Sequence, residues 1–183
     1  MTKKSFRDFL TDLEKAGEIS RIAKTVDPRD MPGLASQNEN ATIFESIEGY
    51  PNWQVATALL SSRKRLAITL DCPEHHIAQT FETASARTIE PELVSDAPCQ
   101  EVIIEGDDVD LTALPYPIMH VHDGGPYISG TFVVSKDPEY GRNAGSYRMM
   151  YRTPKETGID LVSPSDMRFY YQRALDRGEP LPI

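Results

Sequence analysis

Residues 120–152, HVHDGGPYISGTFVVSKDPEYGRNAGSYRMMYR, decide how the chain is read. Tyr127–Ser135 and Gly145–Arg152 are two runs rich in β-branched and aromatic residues, the composition of strands. KDPEYGRN between them carries Asp137-Pro138, Gly141 and Asn143, residues that fix φ, permit positive φ or bond their own backbone. A β-hairpin is expected. Within six residues, Asn143 to Arg148, the second arm holds a neutral oxygen donor, a glycine and a guanidinium. Strand alternation puts Ser146 and Arg148 on one face and Tyr147 on the other, so Asn143 and Arg148 share a pocket only if the strand bends or bulges near Gly145. An amide oxygen suits a hard cation, and an arginine fork grips a carboxylate or phosphate. The residues alone leave a second reading open, in which Asn143 is a turn residue and Arg148 a solvated strand arginine.

The 183 residues are 39% hydrophobic and 26% charged, ordinary globular values, and allow one domain or a small domain with part of another. A net charge of -9 argues against a nucleic-acid partner, which needs a basic face. No apolar run nears the roughly 18 residues that span a bilayer. Cys72 and Cys99 lack metal-like spacing and are expected as reduced thiols in a cytoplasmic protein.

Along the chain, Ser5 caps an amphipathic helix with Asp8 three residues on, and Gly17 stops it. Glu18–Val26 alternates as a half-buried strand. Residues 27–41, with two prolines and a glycine, are expected to form an irregular loop. Thr42–Ile47 and Gln54–Leu60 read as strands, and the basic run Ser61–Arg65 as a solvated turn or helix start. Pro73–Arg87 is a helix on which the adjacent His75 and His76 point about 100° apart and cannot share a metal. Cys99–Glu105 reads as a strand after a linker, putting a domain boundary near Pro98. Ser163–Asp166 cap a last helix whose buried face is expected to be Met167, Tyr170, Tyr171 and Ala174, ended by Gly178. His120 and His122 would share one face of a strand, so a metal enzyme built on them is a minor alternative.

Several of these stretches closely resemble the UbiD-type decarboxylases, which use prenylated FMN. The resemblance rests on Asp123, Gly125, Pro126, Tyr127 and Ile128, followed by Asn143, Tyr147 and Arg148. It extends from Phe6-Arg7-Asp8-Phe9-Leu10 through Ile47–Pro51 to Arg177–Pro182. It implies an α/β (α+β) fold: a small amino-terminal α/β support domain over residues 1–98, then the first part of a split-β-barrel flavin-binding domain over 99–183. The implied activity is non-oxidative decarboxylation, or carboxylation in reverse, of an aromatic or α,β-unsaturated acid. Prenylated FMN would be held through Mn2+ or Mg2+ and often K+.

By the same resemblance Asn143 is the metal ligand, Ser146, Tyr147, Arg148 and Ser165 line the cofactor, and Arg148 faces the substrate carboxylate. The family's histidine before the last helix is missing here. Counting from Gly178 puts Ser165 in its place, and counting from Pro164 puts Asp166 there. The resemblance further implies a homo-oligomeric enzyme of greater length, a flavin prenyltransferase supplying the cofactor, and a catalytic acid outside these residues. The chain is therefore expected to be an amino-terminal fragment, inactive alone. The alternative from another class is a binding or assembly module that pairs with a separate polypeptide.

Overall fold

The computed structural model describes residues 5–87, 89–162 and 164–183. Its backbone contacts fall into two units, residues 1–107 and 108–183, whereas the sequence boundary is near Pro98.

In the first unit, helix α1 (Phe6–Lys15) begins at a reciprocal cap: the Asp8 amide donates to Ser5 Oγ at 3.1 Å and the Ser5 amide to the Asp8 carboxylate at 2.9 Å. It ends at Gly17, whose φ of 72° a residue with a side chain rarely adopts. Strand β1 (Ile19–Ile22) leads to helix α2 (Met31–Ser36), then β2 (Ala41–Phe44) and β3 (Val55–Thr57). β1 pairs parallel with β2, β3 pairs antiparallel with it, and all four residues of the central strand are buried.

Helix α2 corrects the expectation of a loop over 27–41. Pro32 sits in its first turn, where a missing amide hydrogen leaves no hydrogen bond unmade, and Met31 and Ala35 are buried. They join Val26, Phe44 and Ile47 in a core edged by Ile22, Leu34, Tyr50 and Val55. Helix α3 (Arg63–Leu70) starts at Ser62, whose hydroxyl accepts from the Arg65 amide. The basic run is thus a helix start, but it is not solvated throughout. Arg65 is 2% exposed and donates to Glu18 Oε2, the Glu39 carbonyl and Ser61 Oγ at 3.0, 3.0 and 2.8 Å.

Helix α4 (Ile77–Ser85) follows, with Phe81 exposed and no buried residue. His75 and His76 are exposed in the turn before it. The strand expected over Cys99–Glu105 does not form. Residues Pro98–Gln100 make a short 3₁₀ turn, and Val102, Ile103 and Ile104 are 75%, 66% and 61% exposed. A strand needs a neighbour to take its backbone bonds, and among the described residues none pairs with this run.

In the second unit, β4 (Tyr127–Ile128), β5 (Val133–Asp137), β6 (Gly141–Gly145), β7 (Met149–Thr153) and β8 (Glu156–Ile159) precede helix α5 (Asp166–Asp176). The sheets are β4-β7-β8 and β5-β6. The expected hairpin exists, but each arm is broken in two. Val133, Ser135 and Asp137 are buried and alternate with exposed Val134 and Lys136. Helix α5 packs against β5 and β6 and buries Met167, Tyr170 and Ala174, while Tyr171 is 47% exposed rather than buried.

Asp137 ties the hairpin turn to this helix. Fully buried, it accepts from the amides of Glu139 and Tyr140 at 3.0 and 3.2 Å, from Arg173 Nε at 3.1 Å and from Arg177 at 3.3 Å. Burial pushes its pKa up, but the Glu139 amide, the Arg173 guanidinium and the Tyr140 amide together pull it down to about 2 from the ordinary 3.8. A depressed carboxylate pKa stabilises the fold above about pH 4, and that contribution is lost as pH falls through about 2. Urea midpoints between pH 5 and pH 2 should therefore decline, and Asp137→Asn should flatten the decline while lowering the plateau near neutrality.

Candidate functional site

The site forms where the hairpin ladder is interrupted. Ile128 pairs with Met149 and Val133 with Gly145, so five steps on one arm face four on the other. One arm carries an extra residue, and Ser146, Tyr147 and Arg148 fall outside both β6 and β7. This is the bend that a shared position for Asn143 and Arg148 requires. Thr131 Oγ1 donates to the Tyr147 carbonyl and fixes the interruption. The Tyr147 ring folds back on Gly145 so closely that a Cβ there would lie 2.7 Å from a ring carbon.

The Tyr147 hydroxyl joins two elements. It accepts from Asn143 Nδ2 at 3.5 Å and from the Met167 amide, in the first turn of α5, at 3.4 Å. Gly145→Ala should push the ring off both partners. The expected cost is about 1 kcal/mol, at the low end for an overpacked site because the outer edge of the ring can swing. Thermal unfolding measures it.

With its amide nitrogen turned to Tyr147, Asn143 receives no hydrogen bond at its carbonyl oxygen among the described residues. Its register partner on β5 is Ser135, a buried residue whose hydroxyl has no partner among the described residues. Two neutral oxygens on paired residues of one face fit a hard cation whose charge is balanced by a phosphate. The Ser165 hydroxyl is engaged as the cap of α5, accepting from the Arg168 amide at 3.3 Å, and Asp166 is exposed in the first turn of that helix.

Ser146, Tyr147, Arg148, Asp160, Val162, Pro164 and Ser165 line a cleft of about 400 Å³. Four of the residues singled out from sequence thus line one cleft, whereas Asn143 does not line it and is connected to it by its hydrogen bond to the Tyr147 hydroxyl. Asp166 does not line it. Arg148 is 62% exposed, sits 5.1 Å above the Tyr127 ring and lies 3.6 Å from Asp160, itself 54% exposed. Larger clefts include one of about 650 Å³ beside Asp12 and Cys72 and one of about 720 Å³ between β8 and α5, which shares Asp160 with this cleft. Neither contains Asn143, Ser146, Tyr147 or Arg148. His120 and His122 are exposed, the His120 amide donates to Asp123 at 2.9 Å, and the described residues hold no cluster of three His, Cys, Asp or Glu able to bind a metal. Both cysteines are free.

The model of the 3-octaprenyl-4-hydroxybenzoate carboxy-lyase Rift-related domain matches residues 92–183, half of the chain and all of the cleft, and that of the N-terminal domain matches residues 10–84. The chain belongs to the UbiD family. Among UbiD-like relatives, a phenolic acid decarboxylase of Sedimentibacter hydroxybenzoicus is 30% identical over 98% of this chain and 41% of its own length. An anhydromevalonate phosphate decarboxylase of Methanosarcina mazei is 31% identical over 98% and 41%.

A UbiD-class enzyme of Pelotomaculum thermopropionicum, solved with prFMN, superposes with a TM-score of 0.91 at 31% identity. The match covers 98% of this chain and 43% of that one. The chain therefore spans about two fifths of the length of the UbiD proteins it matches. No helix of the described residues is long and apolar enough to cross a membrane.

Three members of the site carry no signal in the UbiD-like spacing. Thr131 and Ser135 look like ordinary strand residues, and Asp160 lies twelve positions beyond Arg148.

Proposed function

We propose that residues 1–98 act as the support domain, and residues 99–183 as the first part of the flavin-binding split barrel, of a UbiD carboxy-lyase. This enzyme adds or removes CO2 at an aromatic or α,β-unsaturated carbon, in the cytoplasm and as a homo-oligomer. Its cofactor is prenylated FMN, furnished by a flavin prenyltransferase and anchored through Mn2+ or Mg2+, with K+. The observation that carries the reading is the cleft in which Arg148 stands beside Ser146, Tyr147 and Ser165.

When bound, prenylated FMN supplies an electron sink for a carbon whose own π system cannot delocalise the developing charge. The chain's residues do the rest of the work proposed here. Arg148 holds the substrate carboxylate with its fork, steadied from below by the Tyr127 ring. Asn143 offers its carbonyl oxygen to the divalent ion, and Ser135 is placed to offer a second. Tyr147 fixes the distance between that ion site and α5, while Ser146 and Ser165 line the cofactor's side of the cleft. The proton that takes the place of CO2 is assigned to an acid in the remaining family length, so the 183 residues alone are expected to be inactive.

The test is CO2 release from a panel of hydroxybenzoates and cinnamates by the whole reading frame containing these residues, produced with a flavin prenyltransferase. Release from at least one acid is expected. Flavin-loaded protein that neither releases CO2 nor exchanges labelled bicarbonate into any of them overturns the reading.

A second reading, a non-catalytic module that pairs with a separate polypeptide, is favoured by Phe132, just before β5 and 73% exposed, and by Val134, 43% exposed on the face of β5 that α5 leaves open. It predicts association on size exclusion without flavin absorbance.

A further inference from the structure

We infer that Asp160 is an internal carboxylate that competes with the substrate's for Arg148, so that the site prefers monocarboxylates to acids bearing a second carboxylate beside the first. This rests on the reading of Arg148 as the carboxylate grip.

The pairing is built into the backbone. Met149 and Ile159 are register partners at the end of the β7–β8 ladder, and Arg148 and Asp160 are the residues just past them on each strand. The ladder thus holds the Asp160 backbone beside that of Arg148 and keeps its carboxylate within reach of the guanidinium. Both side chains line the same cleft, and among the described residues no other carboxylate pairs with Arg148.

The contact is also poor enough to be displaced. It is a single 3.6 Å approach between groups 62% and 54% exposed, with none of the two-pronged geometry that makes Arg–carboxylate pairs strong. An incoming carboxylate that takes both prongs wins the guanidinium, which the Tyr127 ring at 5.1 Å keeps in place. Asp160 then remains beside the bound acid as an unpaired negative charge. It repels any further anionic group on that side, at a range where salt screens little.

Nuclear magnetic resonance on the whole reading frame containing these residues tests this. The Arg148 Nε–Hε signal, assigned by its loss in Arg148→Lys, is followed while sodium benzoate or sodium phthalate is added at constant ionic strength. Asp160→Asn should tighten benzoate two- to fivefold and phthalate by more, and Asp160→Glu should behave as wild type. A merely structural role for Asp160 would weaken both acids in the Asn variant.

Isothermal titration calorimetry reads benzoate binding by Arg148→Lys, which lacks that signal: if this variant binds benzoate as tightly as wild type, or wild type shows no benzoate-dependent shift, the carboxylate grip fails and the competitor falls with it. If Arg148→Lys loses benzoate while Asp160→Asn tightens neither acid, the competitor alone is overturned. Loss of the folded amide spectrum is not expected in the Asn variant, because the side chain is half exposed and makes no hydrogen bond among the described residues.

Discussion

Arg65→Ala is expected to destabilise the first unit by about 3–5 kcal/mol, the cost of breaking a buried ion pair from one side. Its guanidinium, 2% exposed, is shared among Glu18, the Glu39 carbonyl and Ser61, which joins α3 to the start of β1 and to the loop before β2. Removing it leaves a carbonyl and a hydroxyl without their donor and a nearly buried carboxylate with one partner fewer.

Lys64 also touches Glu18, at 2.6 Å, and is the largest cause of its lowered pKa, ahead of burial, which opposes, and of Arg65. The stability nonetheless rests on Arg65. Lys64 is 54% exposed and can return to water, so Lys64→Ala should cost only about 0–1 kcal/mol. The Arg65 Nε has no partner among the described residues, so Arg65→Met combined with Glu18→Leu should recover much of the loss. Urea titrations read by Trp53, the single tryptophan and a residue of this unit, measure all three. An Arg65→Ala midpoint equal to wild type would show that the network is idle.

Arg148→Ala is expected to act on the other side of the ledger, lowering kcat/KM for CO2 release by about 10²–10³-fold in the whole reading frame. That is the usual effect of losing a pre-positioned group that holds and neutralises the reacting anion. Arg148→Lys should recover only part of it, since an ammonium has the charge but not the fork. Stability should hardly change, within about 0.5 kcal/mol, because the side chain is 62% exposed and its one ion pair is long. Activity lost together with the fold, or not lost at all, would remove Arg148 from the role proposed for it.

The contrast between these two arginines shows what a sequence discloses. Nothing local in the basic run Ser61–Arg65 says that its third basic residue turns inward to Glu18, whereas Arg148, open in its strand run to a solvated reading, is 62% exposed. Caps and turns were legible because their chemistry is local: Ser5 with Asp8, Ser165 before α5, Asp137-Pro138 and Gly141 in the hairpin. Helix α2 was hidden because two prolines and a glycine mask six residues held by core contacts at Met31 and Ala35. The run Val102–Ile104 has strand propensity without a strand, since propensity supplies no neighbour. In the candidate site, Asn143, Ser146, Tyr147 and Arg148 were singled out by the family resemblance, since spacing alone left Asn143 and Arg148 open. Asp160 could not be, because β8 (Glu-Thr-Gly-Ile) has weak strand character and takes its form from pairing with β7.

The unequal arms of the hairpin bear on how this gene tolerates change. A missense codon between Ser129 and Phe132 alters one side chain, but an in-frame loss of one codon there would make the arms equal and erase the offset. Tyr127 would turn to the opposite face from the guanidinium it underlies, and Tyr147 would be drawn back into the ladder. Natural variation in this stretch should therefore run to exchanges of residue type, with its length held fixed.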